Sequence, residues 1–255
     1  MGVLNITPDS FSDGGRFLEP ASALTQAGRL VAEGADILDI GAESSRPYGG
    51  AQPVSAEEEL ARLAPVFAEA VALGIPVSID TMKARVAAWA LERGAAMVND
   101  VWGLQRDPDL AHVVAEHGAP VVIMHNRPEA DPGLDIMADI ESFFRRSLEI
   151  AARAGIPQRH IVLDPGIGFG KTAEQSMAAI AQLGRLKAFG LPILVGASRK
   201  RFISSVFASE PDQRLPGSLA AHILAVENGA SIVRVHDVAE TVQALRVAAA
   251  IRSAR

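Results

Sequence analysis

Residues 161–171 read IVLDPGIGFGK, and their order of types is one that can do chemistry. Ile161, Val162 and Leu163 form a continuous apolar run, as in a strand buried on both faces. The run ends on Asp164, a carboxylate that is costly there unless something pairs with it. Pro165, Gly166, Gly168 and Gly170 then exclude a helix and turn the chain outward. Two phosphate motifs fail on inspection. A P-loop needs glycine where Pro165 stands, although Gly170-Lys171-Thr172 fits its end. The glycines are spaced G-x-G-x-G, not the G-x-G-x-x-G of a dinucleotide fold. Taken alone, Asp164 reads equally well as a helix-capping carboxylate in an ordinary loop.

The same form recurs. Asn5 ends the first apolar stretch, Glu43-Ser44-Ser45-Arg46 follows the second, Asp80 ends the third and Asn99-Asp100 the fourth. Met124-His125-Asn126 ends the fifth, Ser198-Arg199-Lys200 follows the seventh, and Arg234 and His236 lie on the eighth. Each alone reads as a cap or an internal polar contact. Eight in succession, gathered at one rim, form a pocket.

The pocket divides by chemistry. Lys200, Arg234, His236 and a helix start near Ser198 are donors, suited to phosphate. The plainer reading of Arg199-Lys200-Arg201 is a solvated helix start. Arg234 and His236 differ by two and share a strand face, where an arginine is hard to bury without an anion. Asp80, Asn99 and Asp164 are acceptors, suited to a flat ring with several N–H groups such as an aminopyrimidine, and Lys200 can reach that ring's carbonyl or nitrogen. The implied ligand is half heterocycle, half phosphate. No H-E-x-x-H and no cysteine offers a metal cluster, and His112, His117, His160 and His222 read as structural. A loosely held Mg²⁺ shared with a diphosphate is compatible, with Asn5 as its ligand. No Ser-His-Asp triad or nucleophile elbow is present.

The elements that must position these groups follow a repeated punctuation. Gly34, Gly74, Gly94, Gly118, Gly155, Gly190 and Gly229 each end a helix-periodic segment just before a short apolar run. Adding the opening strand at residues 2–5 gives eight strands separated by helices. Ser55-Ala56-Glu57-Glu58 reads as a capping box, Pro108 as a first-turn proline after Asp107, and Asp237 as the cap of the last helix. The alternation predicts an α/β fold, a single (β/α)₈ TIM barrel over residues 1–255 with its site at the C-terminal ends of the strands. A doubly wound open sheet is the alternative, but no strand reads as a half-exposed edge. Because the first strand begins at residue 2, the expectation is either that helix ends and side chains plug the barrel bottom or that the start is truncated.

Composition sets outer bounds. The 255 residues are 49% hydrophobic with mean hydropathy +0.19, ample for one large core. A net charge of −6 gives no basic footprint for nucleic acid. The absence of cysteine excludes disulfides. The start, MGVLNITPDSF, is no signal peptide, Ile6 spoils a myristoylation signal at Gly2, and no apolar run reaches the ~18 residues of a membrane span. A cytoplasmic protein without membrane partners is expected.

With these residues in hand, the chain closely resembles the dihydropteroate synthases over essentially its whole length. The motifs are residues 1–15 (MGVLNITPDSFSDGG), 41–47 (GAESSRP), 78–81 (SIDT), 99–103 (NDVWG), 163–171 (LDPGIGFGK), 196–201 (GASRKR) and 234–237 (RVHD). The first and fifth are specific to that family. The resemblance implies a TIM-barrel transferase of folate biosynthesis that is the sulfonamide target. Such an enzyme joins (7,8-dihydropterin-6-yl)methyl diphosphate to 4-aminobenzoate, giving 7,8-dihydropteroate and diphosphate. Carried over by position, Asp80, Asn99, Met124, Asp164 and Lys200 would bind the pterin. Asn5 with Mg²⁺, Ser45, Arg234 and His236 would hold the diphosphate, and Asp80, Lys200, Arg234 and His236 would be the catalytic set. Phe11, Asp13, Arg46, Pro47, Phe169 and Arg201 would shape the aminobenzoate pocket, with the segments 7–15 and 44–50 closing over both substrates. A homodimer through the later helices is implied as well. Three features depart from the family pattern: Ala42 precedes Glu43 where glycine is usual, Ser45 stands for threonine, and Arg201 stands where serine is frequent. Two rival readings are a methyltetrahydrofolate-dependent methyltransferase, which shares a pterin-binding barrel but needs no diphosphate cluster, and a catalytically silent pterin-binding paralogue.

Overall fold

The computed structural model describes residues 1–6, 20–43 and 54–254. Its strands are β1 (Gly2–Asn5), β2 (Leu38–Gly41), β3 (Val77–Asp80), β4 (Met97–Asp100), β5 (Val121–Met124), β6 (Ile161–Asp164), β7 (Leu194–Val195) and β8 (Ile232–Val233). The helices are α1 (Pro20–Ala32), α2 (Ala56–Leu63), α3 (Phe67–Val71), α4 (Ala84–Leu91), α5 (Leu110–Glu116), α6 (Ile136–Ala154), α7 (Ala173–Ala181), α8 (Arg201–Val206), α9 (Leu215–Glu227) and α10 (Val238–Ser253). Strands β1 to β6 pair in sequence order, all parallel, and β7 pairs with β8. Single bridges between Leu163 and Ile193 and between Gly2 and Val235 join the two sheets, so the eight strands run in a circle. This is the expected TIM barrel rather than an open sheet.

Alternation along the strands builds two cores. Outward side chains such as Leu38, Ile40, Ile79, Val98, Ile123 and Leu163 join the helices in one large cluster. Inward side chains at the lower strand ends, Met1, Met97, Val122, Val162 and Leu194, form a second, with Ile37 and Ile232 packed against it. That inner cluster is the plug expected at the bottom. It also explains why the strands read as unbroken apolar runs: both faces are covered.

Helix ends follow local chemistry. All seven predicted terminating glycines have positive φ. At the end of α6, Gly155 takes φ 88° and its N–H returns to carbonyls of the last turn. That helix starts on Asp135, whose carboxylate accepts from the N–H groups of Met137 and Ala138, both at 3.1 Å. It buries Ile136, Met137, Ile140, Phe143, Phe144 and Ala151 along one stripe, each large side chain contributing roughly 1.5–3 kcal/mol.

Three predicted caps differ. Ser55 accepts from Glu58 N–H at 3.1 Å, but Glu58 turns to Arg62, its i+4 neighbour, at 2.5 Å, so only half of the box forms. Pro108 lies in the turn before α5, which starts at Leu110. Asp107 Oδ1 accepts locally from Asp109 N–H at 3.1 Å, while its Oδ2 accepts from Ala84 N–H at 2.8 Å and so also caps the neighbouring helix α4. Asp237 sits at the start of α10 without a capping bond, because its carboxylate pairs with Arg199. For Glu58 and Asp237 a nearby arginine outcompetes the local backbone, and Asp107 serves two helix starts at once.

Candidate active site

The parallel register lays the upper inward residues in a row. Asn5 lies opposite Gly41, Gly41 opposite Asp80, and Asp80 opposite Asn99. Met124 lies opposite Asp164 on the next pair of strands. Gly41 leaves the space that Asp80 uses, since a Cβ there would sit 3.2 Å from Asp80 Cβ. Across the barrel, β8 sends Arg234 back over this row. Arg234 Nη2 donates to Asp80 Oδ2 at 2.7 Å, and Nε donates to Asp39 Oδ2 at 2.6 Å. Asn99 Nδ2 donates to the same Asp39 oxygen at 3.1 Å.

Asp39 was not among the residues singled out from sequence. It is fully buried, and it supplies much of the anion that the inward-facing Arg234 needs. A signal existed: one carboxylate inside the otherwise apolar Leu38-Asp39-Ile40. The expectation that an arginine on this inward face is hard to bury without an anion holds, and the anions are the carboxylates of Asp39 and Asp80.

Lys200 comes in from the loop after β7. Its Nζ donates to the carbonyl of Ile167 and lies 4.5 Å from the Phe169 ring centroid. Its two cationic neighbours diverge. Arg199 takes a left-handed φ of 57° and turns away to Asp237, while Arg201 begins α8 and is exposed. His236 is fixed by Ser198, whose Oγ accepts from His236 N–H at 3.2 Å and lies 2.9 Å from Nδ1. Asp164 accepts from Gly166 N–H at 2.7 Å, so the breaker after the strand serves its carboxylate. The helix following this loop, α7, is capped reciprocally by Thr172 and Gln175.

Other residues of the rim serve the frame. Glu43 pairs with Lys83 at 2.6 Å, and Lys83 also pairs with the buried Glu59 at 2.6 Å. Asp100 accepts from Trp102 and Leu104 N–H groups at 2.9 and 2.5 Å and so shapes its own turn. Phe11, Asp13, Ser45, Arg46 and Pro47, with the segments 7–15 and 44–50, lie outside the described residues.

Burial tunes the charges. It pushes the Asp80 carboxyl up to about 7, against the pull of Arg234. Asp164 is also raised by burial, with Lys200 the leading opposing charge. Burial lowers Lys200 to about 8 although Asp164 opposes it. Arg234, beside Asp39 and Asp80, is held above its ordinary value despite burial. Two carboxylates and two cations thus sit within one poorly solvated layer, each held by the others.

A cavity of about 150 Å³ opens beside this layer, with Asp80, Met82, Trp102, Arg127 and Phe169 among its walls. No group of three or more His, Asp or Glu able to hold a metal is found among the described residues. Asn5, at the end of β1, presents a single amide. An amide oxygen is a hard donor of the kind Mg²⁺ accepts, and that ion takes most of its remaining ligands from water and phosphate, so one protein group fits. No helix among the described residues is long and apolar enough to cross a membrane.

Comparison with known proteins follows the same outline. The family described as pterin binding enzyme matches residues 1–236. The dihydropteroate synthase of Bacillus subtilis is 46% identical over 93% of this chain and 83% of its own length. The structure of dihydropteroate synthase from Clostridium difficile in the presence of pteroic acid superposes with TM-score 0.93 and 48% identity, covering 98% of this chain and 95% of that one. The Xanthomonas albilineans enzyme in complex with 7,8-dihydropteroate gives TM-score 0.89 and 43% identity, covering 98% and 92%.

Proposed function

The chain belongs to the pterin-binding enzyme family, among its dihydropteroate synthases, and from that premise we propose how its residues divide the work. The enzyme is a transferase that condenses (7,8-dihydropterin-6-yl)methyl diphosphate with 4-aminobenzoate, giving 7,8-dihydropteroate and diphosphate for folate biosynthesis. The observation that supports the division is the convergence of Asp80, Asn99 and Asp164 with Lys200 and Arg234 at one end of the barrel, tied by the Arg234–Asp80 contact at 2.7 Å.

In this reading the ring of the pterin exchanges with Arg234. Asp80 gives up the guanidinium Nη2–H and accepts from ring N–H groups, while Asp39, deeper and fully buried, keeps Nε. The freed edge of Arg234 then faces the diphosphate, with His236 beside it. Asp164 and Asn99 complete the polar wall, Met124 packs against the ring, and Lys200 donates to the ring's carbonyl or nitrogen. As diphosphate leaves, Arg234 and His236 stabilise its growing charge. A Mg²⁺ held through Asn5 would add to that neutralisation when bound. The methylene carbon, conjugated to the pterin ring, carries positive charge, which the nearby carboxylates and the retained diphosphate stabilise. The arylamine nitrogen of 4-aminobenzoate attacks it directly, since an aniline nitrogen is unprotonated at neutral pH, and loses its proton after the C–N bond forms. Phe169, Arg201, Phe11, Asp13, Arg46 and Pro47 are assigned to the aminobenzoate, and Ser45 to the diphosphate.

We also assign the enzyme to the cytoplasm and to a homodimer through the later helices. Val206, Phe207, Leu224, Val247 and Ile251, on or next to α8, α9 and α10, are large apolar side chains more than half exposed. The decisive experiment is a quenched single turnover with the pterin diphosphate alone. Diphosphate release in the absence of 4-aminobenzoate supports the dissociative step, and strict dependence on 4-aminobenzoate overturns it.

A further inference from the structure

Beneath the glycine-rich loop after β6 lies a buried polar chain that the reaction above does not use. Lys171 is 2% exposed. Its Nζ lies 2.6 Å from His125 Nδ1 and donates to the Phe169 carbonyl at 3.0 Å. His125 is itself fully buried, packed edge-on against Phe143 at 4.9 Å between centroids. Its Nε2 lies 2.9 Å from Asp139 Oδ2, which also accepts from Arg127 at 2.9 Å. The carboxylate can only accept, so the ring proton sits on Nε2 and Nδ1 is left as the acceptor for Lys171. Burial holds His125 neutral, lowering it to about 4. The direction of every bond along Asp139, His125 and Lys171 is thereby set.

The loop above this chain is pressed onto it. A Cβ on Gly166 would fall 1.9 Å from the His125 carbonyl oxygen and 3.4 Å from Lys171 Nζ. Asp164 and His125 are also joined through the backbone at 2.8 Å. Lys200 holds the same loop from the other side, through the Ile167 carbonyl and the Phe169 ring. The charged groups facing Asp164 are Lys200, Lys171 and Arg234. Those facing Lys171 are Asp164, Lys200, Asp139 and Arg127, with neutral His125 in contact, and burial holds its ammonium well below the ordinary lysine value.

We propose that Lys171, oriented by His125 and through it by Asp139, is a positioning residue for the reaction, fixing the loop that presents Asp164 and Phe169 and, in its protonated form, standing as a counter-charge behind Asp164. The proposal rests on the assignment of Asp164 to the pterin wall. Lys171 touches no substrate in this arrangement. It acts through the orientation of Asp164 and through the charge that Asp164 carries.

The test uses the full-length enzyme with K171M, H125F, H125Q and D164N. Folding is checked by circular dichroism and thermal melting, pterin affinity by calorimetry, and the pH dependence of kcat/KM for the pterin diphosphate by steady-state assay. K171M and H125F are expected to lower pterin affinity at least tenfold. K171M should also move the acidic limb of the profile to higher pH, because on the acid side protonated Lys171 lowers Asp164, whereas H125F leaves that lysine in place. H125Q, whose amide can both donate and accept, is expected to recover most of the H125F loss. A folded K171M with unchanged affinity and an unmoved acidic limb overturns the proposal, as does a folded H125F with unchanged affinity, or H125Q no better than H125F. Should K171M not fold, the H125F and H125Q pair decides alone. D164N separates this inference from the reading beneath it. If D164N also binds pterin normally, the assignment of the pterin wall fails; if D164N loses affinity and folded K171M does not, only the role of Lys171 fails.

Discussion

Replacing Asp39 by Asn tests the layer on which the site stands. The substitution keeps the volume of a fully buried side chain but removes its charge. The carboxylate Oδ2 accepts from Arg234 Nε at 2.6 Å and from Asn99 Nδ2 at 3.1 Å. With the amide oxygen in the place of Oδ2 it still accepts from both donors, and the amide nitrogen takes the place of Oδ1, which has no partner, so what is lost is the charge. Removing one partner of a buried ion pair costs roughly 3–5 kcal/mol. Here Arg234 retains Asp80 at 2.7 Å, and the amide oxygen keeps both bonds without their charge assistance, so the cost should fall to about 2–3 kcal/mol, the scale of a charged hydrogen bond. In a chain of this size that is a drop of roughly 5–10 °C in Tm. The sharper measurement is a cycle of D39N, R234M and the double variant by urea unfolding. Because R234M leaves Asp39 and Asp80 facing each other without a cation, the double variant should be less destabilised than the sum of the singles, by at least about 1.5 kcal/mol. Additivity to within about 0.5 kcal/mol would show that Asp39 and Arg234 do not depend on each other, and the account of the buried layer would be wrong.

Other consequences can be measured with the same preparations. Asp80→Ala should weaken pterin binding by about 1.5–3 kcal/mol, roughly 10- to 150-fold, in calorimetry, and unchanged affinity would remove Asp80 from the wall. With Lys200 held at about 8, its cation is lost above that pH, so kcat/KM for the pterin diphosphate should decline on the alkaline side near pH 8 and the limb should vanish in Lys200→Met. The sign for stability is opposite. The folded value lies below the ordinary 10.5, the native state binds fewer protons between the two, and the cost of burying this group shrinks as pH rises through that window. Gly166→Ala places a Cβ 1.9 Å from a backbone oxygen at φ +66°, and a loss of roughly 2–4 kcal/mol in thermal unfolding is expected. An unaltered melt would contradict the close seating of that loop.

Much of the frame was legible because its causes are local. A glycine that must adopt a left-handed turn marks a helix end within a residue or two, which is why Gly34 through Gly229 placed the strands correctly. A polar residue closing an apolar run likewise marks the rim, and Asp80, Asn99 and Asp164 do stand at the strand ends. What escaped was settled by distant partners. Arg234 and Asp39 are 195 positions apart, and no local pattern says that one neutralises the other. Asp237 was read as the cap of the helix beside it, yet Arg199 claims its carboxylate, and Asp107, read as a local cap, divides its two oxygens between Asp109 N–H and the start of α4. Lys171 looked like the remnant of a failed phosphate motif, and only packing shows it turned inward to His125.

The two single bridges that complete the ring give the barrel a grain. Six strands share continuous ladders, whereas β7 and β8, two residues each, are stitched to their neighbours at Leu163–Ile193 and Gly2–Val235. Amide protons at those stitches, Val3, Leu163 and Val235, should exchange with deuterium sooner than those inside the β2–β5 ladders. The staves expected to break rank first are thus the pair leading to Lys200 and Arg234, while Asp80, Asn99 and Asp164 stay seated in the continuous ladders.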